Sequence, residues 1–276
     1  MDTKSKLGVM ALAGIGCIGC GPNEAEEART WATTSSAPSV YWNVYELVAV
    51  AQGERTFGDP ACPVTTDDGT VLTVTGECTT TEGDRVFGSA TVTRGASDGD
   101  LELALAGWGG ETDLGDVRTT GTATITRMET ELHAFELDLV VDGVNTTRID
   151  YEGTVRGTYD APTTWNGTGT IEREGFAPTG RVLATTLDER FDGAVCNGQP
   201  ISGTTTIMRD GRTDVITYDG AMDCDEAKGA QWSVNGTSRG LLTDISCAAT
   251  PGGRSPLALG AFALVGLGML VRRSRR

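Results

Sequence analysis

The stretch ELHAFELDLVVDGVNTTRIDY, residues 131–151, decides the fold. His133, Phe135, Leu137 and Leu139 recur with a period of two, which gathers them on one face of a β-strand. Ile149 and Tyr151 are the apolar residues of the returning strand. Register follows from making the two apolar faces coincide. A two-residue turn at Asp142-Gly143 sets Arg148 against Leu137 and Asp150 against Phe135, burying charge. A three-residue loop, Val141-Asp142-Gly143 with Gly143 left-handed, pairs Ile149 with Phe135, Tyr151 with His133, and Arg148 with Glu136 on the wet face. The pattern predicts this second register.

The same grammar extends in both directions. Strands are predicted over 70–75, 85–93, 101–106, 118–127, 131–140, 146–158, 165–171, 181–187, 202–208, 213–218 and 231–235, separated by Gly-Asp, Asp-Gly and Asn-Gly turns. Connections this short forbid helical crossovers, so the strands pair antiparallel as a meander. Gly121-Thr122-Ala123-Thr124, Gly167-Thr168-Gly169-Thr170 and Gly203-Thr204-Thr205-Thr206 repeat a Gly-Thr-x-Thr theme without a fixed period. One helix is expected upstream. Ser39 is placed to cap it, Val40, Val44, Leu47, Val48 and Ala51 share a face, and Gly53 stands at the left-handed C-cap position, although Val and Tyr also suit a β edge. The expected fold is mainly β: a single antiparallel sheet curved into a half-barrel or closed into a barrel, the helix on its concave face, with a two-sheet sandwich as the alternative.

The chain has 276 residues, 22 basic and 38 acidic. Seven of the basic residues (Lys4, Lys6, Arg254, Arg272, Arg273, Arg275, Arg276) and Asp2 lie in the terminal segments, leaving a body of 15 basic and 37 acidic residues, net −22. Such a surface repels phosphate backbones and anionic headgroups, which excludes nucleic acid as a partner. The acidic turns Asp67-Asp68, Asp98-Gly99-Asp100 and Asp223-Cys224-Asp225-Glu226 lack the spacing of a calcium loop.

Both ends read as sorting segments. At the N-terminus, Lys4 and Lys6 precede the apolar run Leu7 to Ile18, too short to span a bilayer comfortably. Gly16-Cys17 and Gly19-Cys20 close that run, and this end resembles a bacterial lipoprotein signal. The resemblance implies lipidation at Cys20, which a polar segment follows, with Cys17 as the alternative. At the C-terminus, Cys247 is followed by Pro251-Gly252-Gly253, the apolar run Leu257 to Val271, and Arg272-Arg273-Ser274-Arg275-Arg276. Fifteen apolar residues in a helix reach only ~22 Å. This arrangement resembles the MYXO-CTERM type of sorting signal of exported myxobacterial proteins, which implies processing near Cys247. The chain therefore divides into a signal (1–20), a flexible tether (21–38), a β domain with its helix (39–246) and a sorting tail (247–276).

Export favours disulfides. Cys62, Cys78, Cys196 and Cys224 remain in the body, and sequence-local pairing, Cys62 with Cys78 and Cys196 with Cys224, suits a meander that returns such positions to neighbouring places. No Cys-x-x-Cys pair occurs among them, which argues against zinc. His133 is the only histidine and ends an apolar face; no nucleophile elbow, phosphate loop or metal cluster accompanies it. Trp108, flanked by Gly107, Gly109 and Gly110, reads as a loop aromatic lying over the end of the core. The sequence thus predicts an anchored envelope protein without cofactor, metal or catalysis. Its expected partners are the membrane, through lipid or the C-terminal segment, and an unidentified envelope protein. The alternatives are an apolar ligand held in the concavity and, last, an extracellular hydrolase.

Overall fold

The computed structural model describes residues 24–112, 115–157, 163–191, 200–219 and 230–242. Among these residues two helices, α1 (Glu24–Ser35) and α2 (Ala37–Ala51), precede fourteen strands. The strands are β1 (Val64–Asp67), β2 (Val71–Thr75), β3 (Cys78–Thr79), β4 (Arg85–Arg94), β5 (Leu101–Thr112), β6 (Gly115–Glu129), β7 (Leu132–Asp142), β8 (Thr146–Arg156), β9 (Thr163–Glu174), β10 (Gly180–Phe191), β11 (Ser202–Arg209), β12 (Arg212–Asp219), β13 (Gln231–Val234) and β14 (Thr237–Leu241). They form one antiparallel sheet in sequence order from β1 to β14, with β3 pairing off the path against β4. The sheet is open and curved. Its outermost strands, β1 and β14, do not pair with each other, so it is not a closed barrel, and its single continuous ladder is not a sandwich.

Curvature is visible in what α2 touches. It packs on β4 and also on β8, β9 and β10, which three intervening strands separate from β4. Tyr41 of α2 sets its ring 5.0 Å from Phe135 on β7 and 5.2 Å from Trp165 on β9. The inward residues Phe135, Leu137, Leu139, Ile149, Tyr151, Ile171, Val182, Ile207 and Ile216 form the core beneath the helices.

The N-terminal segment departs from the tether expected of it. Residues 24–35 are helical, and Ala25, Ala28, Trp31, Ala32 and Ser35 are buried on β10 and β11. Apart from Trp31 the buried stripe is of small residues, a pattern that the helix's Ser, Thr and Glu content hides. Ser36, extended at φ −65° and ψ 142°, separates α1 from α2 and forms a bend. Pro38 explains it: proline has no N–H to give to the Thr34 carbonyl four residues back and its ring crowds that turn, which ends α1, whereas the first turn of a new helix tolerates it. Ser36 rather than Ser39 thus precedes α2, and its hydroxyl bonds the Ser39 hydroxyl at 2.7 Å. At the other end Gly53 is left-handed (φ 74°), with Gly53 N–H bonded to Val50 and Glu54 N–H to Ala49, a Schellman closure at the expected position.

The β7–β8 hairpin keeps the expected faces and changes the expected register. Leu139 faces Ile149, Leu137 faces Tyr151, and Phe135 faces Gly153. Pairing runs out to Asp142 opposite Thr146, so the loop is Gly143-Val144-Asn145 rather than Val141-Asp142-Gly143. Val141 is buried, and extending the strand by two residues keeps it in the core. Arg148 consequently faces Val140, not Glu136, and His133 faces Val155, not Tyr151. Trp108 is likewise not in a loop: it lies within β5, buried against Phe57 at 6.0 Å. Gly88 and Gly107 beside it are both left-handed (φ 65°) at facing bulges, where a Cβ on Gly88 would lie 2.1 Å from the Gly107 carbonyl oxygen.

Candidate interaction face

The concave side of the sheet is occupied by its own helices. Val40, Tyr41, Val44, Leu47 and Val48 of α2 are buried there. A cavity of about 20 Å³ remains beside them, lined by Trp42, Asn43, Tyr45, Glu46, Leu47, Arg55 and Trp108, room for about one water molecule. Burial pushes the Glu46 carboxyl up to about 6, against the opposing pull of Arg55.

Polar groups do lie inside. Glu189 follows a bulge in β10 and is fully buried; it accepts a hydrogen bond from the Thr205 hydroxyl through Oε1, while Oε2 has no partner among the described residues. Burial pushes it up to about 8, with the Thr205 hydrogen bond opposing. The Tyr218 hydroxyl is 3.1 Å from Thr205, and burial raises its pKa. Tyr151 donates to the Thr186 hydroxyl at 3.0 Å, and that oxygen also accepts the Ala37 N–H at 3.1 Å, fastening the start of α2 to the sheet. His133 is half-buried on the inward face; burial and then the Arg127 charge lower its pKa.

The outer side is different. A depression of about 350 Å³ crosses β6 to β10, lined by Thr122, Thr124, Glu136, Asp138, Asp150, Glu152, Thr168, Thr170 and Leu183 among others. Register places Glu136 directly opposite Glu152 and Asp138 directly opposite Asp150. These like-charged pairs are adjacent along both strands, so four exposed carboxylates form a square. Cβ atoms of such facing residues stand about 5 Å apart, a separation at which like charges repel. None of the four is ion-paired among the described residues; the nearest basic residue in their strands, Arg148, lies against Glu174 at 3.8 Å. No group of His, Cys, Asp or Glu among the described residues converges as metal ligands do. Beyond the square, Leu183 faces Met208 across β10 and β11, 44% and 39% exposed, and Leu187 is 57% exposed.

Of the cysteines singled out in the sequence, Cys62 and Cys78 are joined by a disulfide across a sequence separation of 16, tying the segment before β1 to β3. Cys17, Cys20, Cys196, Cys224 and Cys247 lie outside the described residues, as does the apolar run 257–271. Among the described residues no helix is long and apolar enough to cross a membrane. The carboxylate square escaped the sequence reading because the expected register set Arg148 against Glu136. Its signal was present as two acidic pairs spaced two apart, Glu136/Asp138 and Asp150/Glu152.

Comparison with known proteins gives no match to this chain among protein-family models, curated proteins or solved structures.

Proposed function

We propose that the chain is an exported, membrane-anchored envelope protein whose β body is a non-catalytic interaction module, using the outer face of its sheet to hold a basic partner protein. The observation that carries this reading is the distribution of open surface: helices fill the concave side, whereas the outer depression exposes four carboxylates whose mutual repulsion costs stability. A partner bringing lysine or arginine relieves that repulsion. The apolar-ligand alternative has less support, since α2 occupies the trough such a ligand would need.

Two measurements test the reading. Intact mass spectrometry of protein recovered from its envelope is expected to give an acylated chain starting at Cys20 and ending near Cys247; an unprocessed, lipid-free chain rejects anchoring. Titration with an extended lysine-rich peptide is expected to show binding that Glu136→Gln/Asp138→Asn/Asp150→Asn/Glu152→Gln weakens at least tenfold. Neutralising four exposed acids elsewhere, Glu54, Glu82, Glu111 and Glu131, is expected to leave most of it. Equal losses from the two quadruple variants reject the face.

A further inference from the structure

The two ends of the described body meet. Arg29, in the second turn of α1, donates from Nη2 to the Leu242 carbonyl oxygen at 2.6 Å, although 213 residues separate them. Leu242 is held from its other side as well, its N–H bonded to the Ala230 carbonyl at 3.1 Å. The start of α1 is fixed in turn by Glu24 to Arg212 at 3.4 Å and Glu27 to Arg209, the paired residues that flank the β11–β12 turn. Asp214, almost wholly buried, lies between those arginines, 2.9 Å from Arg212 and 3.9 Å from Arg209, and takes the Trp232 indole N–H at 2.9 Å. The first turns of α1 and the end of β14 are therefore one braced corner.

Covalent reach does the rest. A chain spans at most about 3.6 Å per residue, so Cys20 stays within ~14 Å of Glu24 and Cys247 within ~18 Å of Leu242, whatever path the intervening residues take.

We infer that the anchors borne at Cys20 and at the processed C-terminal end, Cys247, enter the same leaflet of one bilayer and act as a single bivalent anchor, with the α1–β14 corner as the membrane-proximal side of the body. This rests on the anchored reading above. It follows from the corner: segments that leave a rigid body side by side with such short reach insert together and do not bridge two membranes. Once one anchor is in, the second faces the bilayer at high local concentration, so the pair holds far longer than either alone. The partner of this corner is the lipid surface, and the two anchors supply the attraction that the acidic body lacks.

The test uses protein recovered from its envelope, carrying protease sites inserted between 21 and 23 and between 243 and 246 so that each anchor is severed after reconstitution into phosphatidylethanolamine vesicles. Flotation, light scattering and transfer to labelled acceptor vesicles are read. The expected result is bound protein, unclustered vesicles, transfer at least tenfold faster after either single cut, and release after both. Vesicle clustering, or one cut that changes nothing, overturns the inference and leaves anchoring intact. Failure to float before any cut overturns the anchored reading and the inference with it.

Discussion

Glu189, with no exposure to solvent, takes its one hydrogen bond from Thr205 and leaves its second carboxyl oxygen without a partner. Burial outweighs that hydrogen bond, so the folded protein holds this proton up to about pH 8, against an ordinary value of 4.5. The sign follows from linkage. Below pH 4.5 both folded and unfolded chains are protonated and the group costs nothing. As pH climbs from there towards 8 the unfolded chain is increasingly favoured, because only it ionises freely. Thermal unfolding is expected to show Tm falling between pH 5 and pH 8, and Glu189→Gln is expected to shrink that fall. An unchanged slope in the variant rejects this account of the buried acid.

Trp31 reports on whether α1 belongs to the body. Its ring is buried, with the Arg173 guanidinium 5.7 Å from its centre. Removing a buried tryptophan costs about 3–5 kcal/mol. Trp31→Ala is therefore expected to lower the unfolding free energy obtained from denaturant titration by that much and to speed amide exchange across residues 24–35. A loose tether would show neither effect.

The facing carboxylates predict a gain from substitution. Relieving like-charge repulsion across a strand pair is worth about 0.2–1 kcal/mol, so Glu152→Gln is expected to stabilise the body, read as a higher denaturant midpoint. Added salt screens the same repulsion and is expected to help the parent protein more than the variant. A loss of stability at low salt runs against the geometry proposed for the square.

The disulfide closes a short loop between Cys62 and Cys78. By the chain-entropy estimate such a crosslink contributes roughly 3 kcal/mol. Cys62→Ala with Cys78→Ala is expected to lower stability by about this amount and to loosen β1 to β3 in hydrogen exchange, while β6 to β10 keep their protection. Uniform loosening of the sheet instead points to a bridge that supports the whole core.

Most strands were legible because alternation is a local property. The runs around Leu101, Ile125, Leu137, Ile149 and Ile171 reveal their inward faces without help from the rest of the chain. β1, β3 and β14 escaped: β1 is exposed along its whole length, β3 has two residues, and four of the five residues of β14 are exposed, so alternation has nothing to mark. Register failed where the apolar pattern ran on, at Val140 and Val141, and gave no sign of where the strand stops. The Gly-Thr-x-Thr theme is explained only by packing. On β9 Gly167 and Gly169 face inward beneath Tyr151, and a Cβ on Gly169 would lie 2.5 Å from the Tyr151 Cα. Thr168 and Thr170 line the outer depression, and Thr168 lies 3.2 Å from the Thr185 hydroxyl. α1 was missed because its buried stripe, Trp31 apart, is alanine, serine and threonine. The carboxylate square could be seen only after the register was known.

The trough that α2 fills also sets a schedule. Synthesis delivers α2 first, yet the strands that receive it, β8 to β10, are not complete until residue 191, some 140 positions later. Through that interval Val40, Tyr41, Val44, Leu47 and Val48 have no finished surface to cover them. Contacts this distant in sequence make for slow folding, and an apolar helix waiting in the open is a target for aggregation. Burial of α2 thus waits on strands made long after it, and the sheet claims its own N-terminus only once residue 191 has joined it.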